Sequence, residues 1–257
     1  MAERETQDEK PVTDLERIFA FAAQGDMGGE RAAPSPFGTA VYADTIPRRL
    51  DSNHLRVELE VPDVDSLVAE MRRLDRRMAW FTNADAGERL APTFERLGWR
   101  IDRHVVMAQR RRPERTPETA LVQEVPEQAL RSARRRLLEG EPWATPETVE
   151  QLFAGKELLA ARVTMRCFAV VIGGEVVSYT DLYLREGAAQ IEDVGTLPEH
   201  RGRGYASAVM LAAIAEARNA GADLVFLFAD ADDWPKELYR RLGFDEVGRY
   251  VKFFAPP

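Results

Sequence analysis

The sequence predicts an α/β protein: a mixed, mostly antiparallel sheet flanked by helices, with the unit built twice. Three observations predict it. A Gly173-Gly174 pair separates two apolar runs, 168–172 and 175–184. That is a hairpin signal, because glycine accepts the positive φ that a two-residue turn needs. From residue 190 onward strand-like and helix-like patterns alternate, as crossovers between strands of one sheet require. Finally, Phe94-Glu95-Arg96-Leu97-Gly98-Trp99 returns as Tyr239-Arg240-Arg241-Leu242-Gly243-Phe244, with Leu and Gly both displaced by 145 positions. In each copy Leu-Gly ends a helix, the glycine supplying a left-handed cap. The following aromatic then leads into an alternating apolar strand, 101–107 or 247–254.

In chain order, residues 1–12 read as a polar tail and 13–112 as a first domain closed by the first copy of that run. Around 110–117 Arg, Pro, Glu and Thr dominate and apolar periodicity stops, which places a linker at 113–119. The second domain, 120–257, opens with a strand at 120–125 and helices at 126–139 and 146–159. After the hairpin come a strand at 190–196, a loop with Pro and Gly, and an alanine-rich helix at 205–219 ended by Gly221. A buried strand at 224–229, a helix at 233–242 and the last strand complete it. Asp233, ahead of Trp234-Pro235, suits a helix N-cap with proline in the first turn.

Hydrophobic residues make up 45% and charged residues 30% of the 257, which is a globular mixture rather than a disordered one. The net charge of −8 argues against a general nucleic-acid binder, which needs a basic face to neutralise phosphates. Arg110-Arg111-Arg112 reads as a solvated linker and Arg134-Arg135-Arg136 as a solvent-facing helix surface. The single cysteine, Cys167, has no partner for an intramolecular disulfide, suits a reducing compartment and reads as buried packing. The charged start and the short apolar stretch 18–23 do not form a signal peptide. No run nears the ~18 apolar residues of a membrane span. A cytoplasmic protein is the expectation, with no nucleic-acid or membrane partner. His54, His104 and His200 show no ligand spacing, so no metal is expected.

Arg201-Gly202-Arg203-Gly204-Tyr205-Ala206 lies between a strand and a helix. Two glycines let backbone N–H groups approach a ligand, and the first helical turn adds unpaired N–H groups and a positive dipole end. Two arginines add charge, and Ala206 and Ser207 leave that turn uncrowded. A diphosphate suits this chemistry, although a plain turning loop reads the same way. A dinucleotide loop fits less well, because Ser207 stands where the third glycine of G-x-G-x-x-G belongs.

The segment 190–254 resembles the core of the GNAT superfamily of N-acetyltransferases, whose hallmark is Gln/Arg-x-x-Gly-x-Gly/Ala. Arg201, Gly204 and Ala206 stand at its fixed positions, and the run from Leu238 to Phe244 follows at the separation the family shows. The resemblance covers 120–254; the first half shares only the closing run and reads as a degenerate copy. It implies a GNAT-type split sheet with acetyl-CoA, the cosubstrate, lying in the splay. Backbone groups of Val194, Gly195 and Thr196 would bond its arm and acetyl carbonyl. Arg201, Gly202, Arg203, Gly204, Tyr205, Ala206 and Ser207 would hold its pyrophosphate. Tyr239 matches the family's proton donor to the departing thiolate.

The implied reaction moves acetyl directly to a primary amine of a small molecule or peptide. Such an amine must lose a proton first, since alkyl ammonium has a pKa near ~10.4. Gln190 stands where several family members carry a carboxylate. Glu192, on the same strand face, is therefore the first choice of base and Asp230 the second. Two alternatives stay open. One is a CoA-binding sensor without turnover, to which Gln190 points. The other is a first half that serves as an interaction or dimerisation platform, giving a homodimer, unless the run 47–55 shapes the acceptor cleft instead.

Overall fold

Gly173 and Gly174, at φ +60° and +86°, turn the chain as the hairpin signal requires. Gly98 and Gly243, at φ +74° and +92°, end their helices in the left-handed cap. The computed structural model describes residues 12–25, 29–114 and 119–256. The expected tail thus lies outside the described residues apart from Val12, as do residues 115–118 of the expected linker. In chain order the strands are β1 Arg31–Ser35, β2 Gly38–Tyr42, β3 Leu55–Val57, β4 Met78–Phe81, β5 Arg100–Gln109, β6 Val122–Val125, β7 Thr164–Ile172, β8 Glu175–Arg185, β9 Ala188–Thr196, β10 Leu224–Asp230 and β11 Phe244–Phe254. The helices are α1 Asp14–Gly25, α2 Val64–Arg73, α3 Ala84–Arg96, α4 Arg131–Leu138, α5 Pro146–Ala160, α6 Tyr205–Asn219 and α7 Pro235–Arg241.

All eleven strands form one sheet, in the order β1-β2-β3-β4-β11-β5-β10-β9-β8-β7-β6. The pairing is antiparallel except for β3 with β4 and β9 with β10, and each of those parallel pairs is bridged by a helix, α2 or α6. The two closing strands are exchanged. β11 lies between β4 and β5, while β5 lies between β11 and β10. Each half thus completes the sheet of the other, joined by antiparallel pairing from Arg100–Phe254 to Gln109–Phe244.

Side-chain alternation sends apolar residues to both faces. One face packs α6 and α7 over Val105, Leu227 and Phe244, and α2 and α3 over Phe81, Val251 and Phe253. The other packs α1 over Trp80, Phe226 and Tyr250, with α4 and α5 over β7 and β8. Several boundaries differ from expectation: β7 starts at Thr164 rather than 168 and β6 at Val122 rather than 120. The helix expected from 126 begins as a 3₁₀ turn, Glu127–Leu130, before α4. The last strand starts at Phe244 rather than 247, because pairing with β5 satisfies its first residues. The helix expected from 233 starts at Pro235, without the Asp233 cap. Asp233 accepts the N–H of its neighbour Trp234 (2.7 Å), which keeps its carboxylate outside the helix.

Candidate active site

β9 and β10 pair over only three residues, from Ala188–Leu224 to Gln190–Phe226, and then part. The cause is local. Asp193 adopts a positive φ of +56°, and the β8–β9 register slips between Tyr179 and Asp181. The resulting bulge bends β9 away from β10 and opens a gap. Past the bulge the Leu197 N–H bonds Val177 O (2.9 Å) on the β8 side. Strand alternation then turns the N–H groups of Val194 and Thr196 into the gap and that of Gly195 back toward β8. Gly195 serves by its size, since a Cβ there would overlap the Tyr179 ring. The Ser178 and Thr180 hydroxyls donate to the carbonyls of Gly195 (2.9 Å) and Glu192 (3.0 Å).

At the end of β9 a 3₁₀ turn, Pro198–His200, leads into the glycine loop. Gly202 and Gly204 sit at φ +74° and +79°, and nothing lies within 4 Å of a Cβ built on either. They are required by backbone conformation and leave open space above it. The first bond within α6 runs from Ala208 N–H to Gly204 O (3.0 Å). The N–H groups of Tyr205, Ala206 and Ser207 precede it, with no capping side chain and no acid in the first turn. Arg201 and Arg203 are exposed beside them. An uncapped N-terminus flanked by arginines and positive-φ glycines fits a diphosphate.

Tyr239, on α7, packs half-buried against the core beneath α6, with its ring 6.5 Å from that of Phe244. Its phenol is pushed up to about 12 by burial and by the Glu192 and Asp233 carboxylates. Glu192 projects from the other face of the sheet at the same gap and accepts Gln190 Nε2 at 2.7 Å. Burial raises its pKa, and the Lys156 ammonium opposes that rise. Asp230 ends β10, the strand on the other side of the gap. It is exposed at the exit of β10, paired in register with His104, and accepts the N–H of Asp232 (2.8 Å). The structure therefore brings Val194, Gly195, Thr196, the glycine loop, Glu192 and Tyr239 to one gap, with Asp230 exposed at the β10 end that borders it.

The profile of the Acetyltransferase (GNAT) family matches residues 128–244, which hold the gap, the loop and Tyr239. Those residues are a GNAT-family domain. A mycothiol acetyltransferase of Pseudarthrobacter chlorophenolicus is 39% identical over 83 residues, covering 30% of this chain and 26% of that protein. The chain thus matches about a quarter of that relative's length. A GCN5-related N-acetyltransferase of Kribbella flavida shares the fold with TM-score 0.61 and 20% identity, covering 94% of this chain and 95% of that one. A protein of unknown function from Staphylococcus epidermidis does so with TM-score 0.66 and 14% identity, over 88% of this chain and 94% of that one.

Beyond the GNAT domain, β11 and the first half, through His104 and Asp51, extend the sheet face that carries Glu192. Tyr250 and Lys252 on β11 and His104 on β5 carry that face onward; Lys252 bonds Asp51 (2.6 Å) and His104 stacks on Tyr250 (4.6 Å, 11°). Burial holds the His104 imidazole down at about 4, so it is neutral near pH 7. The loop between β2 and β3 carries Asp51 and reaches α5. Arg48 N–H bonds Gln151 Oε1 (2.7 Å), its guanidinium meets Glu147 (2.8 Å), and Arg49 fits against Gly155, where any Cβ would overlap it.

Arg134 corrects a sequence expectation. Rather than facing solvent, it is buried, with its guanidinium bonded to Glu127 (2.8 Å), Asp181 (2.6 Å) and Asp193 (2.8 Å). Three carboxylates offset its loss of water. A signal existed: Leu130, Arg134 and Leu137 share a helical face with buried Ala133. Lys156 joins the same group and carried no comparable mark in the sequence. Cys167 is buried, as expected of packing. Among the described residues no cluster of three metal-ligating side chains occurs, and no helix is long and apolar enough to cross a membrane.

Proposed function

We propose that this protein transfers acetyl from acetyl-CoA directly to a primary amine of a small molecule or peptide. One observation carries the reading: Glu192 and Tyr239 meet a single gap from opposite faces of the sheet, beside an uncapped helix N-terminus. The segment 120–257 is then the CoA-binding unit. Residues 13–112 form a degenerate copy that supports it and contributes β5 and the loop carrying Asp51. The first turn of α6 and residues Arg201 to Gly204 hold the diphosphate, while Val194 and Thr196 N–H groups bond the arm and polarise the acetyl carbonyl.

Glu192 takes the proton of the incoming ammonium, and its raised pKa makes it a stronger base than an ordinary carboxylate. The amine nitrogen bonds the carbonyl carbon, the C–S bond breaks as the Tyr239 phenol donates a proton to the leaving sulfur, and the second proton of the nitrogen, now acidic, passes to the phenolate and restores it. At about 12 that phenol stays protonated throughout the neutral range. Gln190, which pointed toward a sensor without turnover, instead bonds Glu192, and this favours catalysis. The name of the mycothiol acetyltransferase relative supports acetyl chemistry.

The test is free-thiol release from acetyl-CoA across a panel of amines. Tyr239→Phe keeps the ring and loses the donor, so kcat falls on the order of 10²-fold while CoA affinity holds. Wild-type activity falls as pH drops through the Glu192 pKa, and Glu192→Gln removes that limb. An unchanged kcat in Tyr239→Phe, or no thiol release with any amine, overturns the reading.

A further inference from the structure

The group of charges beneath the β9 bulge touches neither the diphosphate loop nor Tyr239. Arg134 reaches it from α4 and Lys156 from α5. Asp181 lies at its centre, fully buried, with one oxygen on Arg134 Nη2 (2.6 Å) and the other on Lys156 Nζ (2.6 Å) and the Tyr183 hydroxyl (3.2 Å). Asp193 Oδ2 takes both Arg134 Nε (2.8 Å) and Lys156 Nζ (2.9 Å). Glu127 completes the Arg134 fork (2.8 Å). Asp193 is also the residue at φ +56°, a conformation that costs a non-glycine residue free energy unless its surroundings over-determine it. Two cations on one carboxylate oxygen supply that determination.

We propose that Arg134 and Lys156 are positioning residues for acetyl transfer: by clamping the Asp193 carboxylate they hold the left-handed turn that aims Val194 N–H into the gap and sets Glu192 beside it. The inference rests on the function proposed above. The clamp acts from below the bulge, while Thr180 fixes the Glu192 carbonyl from the next strand. Without it, Asp193 relaxes toward negative φ, and a one-residue change in a strand turns its neighbours to opposite faces. Lys156 has a second effect. The charged and titratable groups around Glu192 are Lys156 from α5, Asp193 on β9, Tyr183 from β8, Tyr239 from α7, and Tyr250 and Lys252 from β11. Lys156 is the foremost of those that hold the Glu192 pKa down against burial.

The experiment compares Asp193→Ala, Asp193→Asn, Lys156→Met and Glu192→Gln in the full chain, by kcat, KM for each substrate, CoA titration and pH profile. Asp193→Ala loses the clamp and disfavours positive φ. It is expected to lower kcat about 10²-fold while CoA affinity falls by less than about tenfold, because one bond to the arm is lost and the diphosphate loop is untouched. Asparagine tolerates the left-handed region and still accepts from Arg134, so Asp193→Asn recovers most of that loss. Lys156→Met moves the acid limb of kcat/KM upward in pH. If Asp193→Ala and Asp193→Asn both keep wild-type kcat, or if they lose melting temperature and activity in equal measure, the network only holds the fold and the proposal is overturned. Should Glu192→Gln leave the acid limb in place while Asp193→Ala and Asp193→Asn separate as expected, the base assignment fails and the clamp stands.

Discussion

Helices α2 and α6 hold matching places in the sheet. Each carries the chain from a strand to its parallel neighbour, and both pack on the same face. Their first turns differ. The α2 N-terminus is closed by its own chain: Asp63 accepts the N–H of Ser66 (2.7 Å) and Asp65 adds a second negative charge. The α6 N-terminus has a glycine at φ +79°, no capping side chain and no acid. The strands beside them follow suit. β3 and β4 stay paired over the whole of β3, with Thr82 N–H bonding on to Val57 O (3.4 Å), whereas β9 and β10 separate after three pairs. The second half combines an uncapped helix start with an opened sheet, the two features on which the proposed CoA site rests.

The sharpest way to break this comparison is to separate the halves. Residues 120–257 alone leave β10 and β11 without β5 between them, and each then presents a bare apolar edge. Size-exclusion chromatography should show aggregation, and a stable, active monomer of that fragment would sink the supporting role of the first half. Next in size, Gly204→Asp gives α6 the chemistry of α2. CoA affinity should drop on the order of 10²-fold, from one site per chain in calorimetry to none measurable, while the strain of a side chain at φ +79° lowers the melting temperature by about 2–4 °C. A second CoA site surviving in that variant would place a receptor at α2 after all. Smallest is Asp63→Ala, which opens α2 without opening the sheet. Its melting temperature should fall by about 2–4 °C while CoA binding stays as it was.

Local signals in the sequence reached far into the fold. The span of α6 was legible from its alanine-rich run and flanking glycines, and the hairpin from Gly173-Gly174, because each depends on residues a few positions apart. The turning glycines of the loop were legible for the same reason, whereas Tyr239 stood out only through the resemblance to the GNAT superfamily. The exchange of β5 and β11 was not, since periodicity says that a strand forms but not which edge it joins. The bulge escaped notice as well. A positive φ at Asp193 is imposed by cations from two helices, 59 residues away in the case of Arg134, and no pattern within β9 records it. Arg134 itself was misread because a triple-arginine run resembles a solvated face until its three carboxylates are located.

The exchanged strands also bear on the order of events during synthesis. β4 and β5 leave the ribosome before β6 to β10, yet the strand that fills the space between them is made only after those five. Until then both edges are open and apolar, and the rest of the second half must emerge before the first can finish its sheet. The sheet therefore closes by long-range pairing only once β11 has emerged, which is a slow step by topology. In the cell, the interval between translating β5 and releasing β11 is when this chain most needs a chaperone to cover those edges.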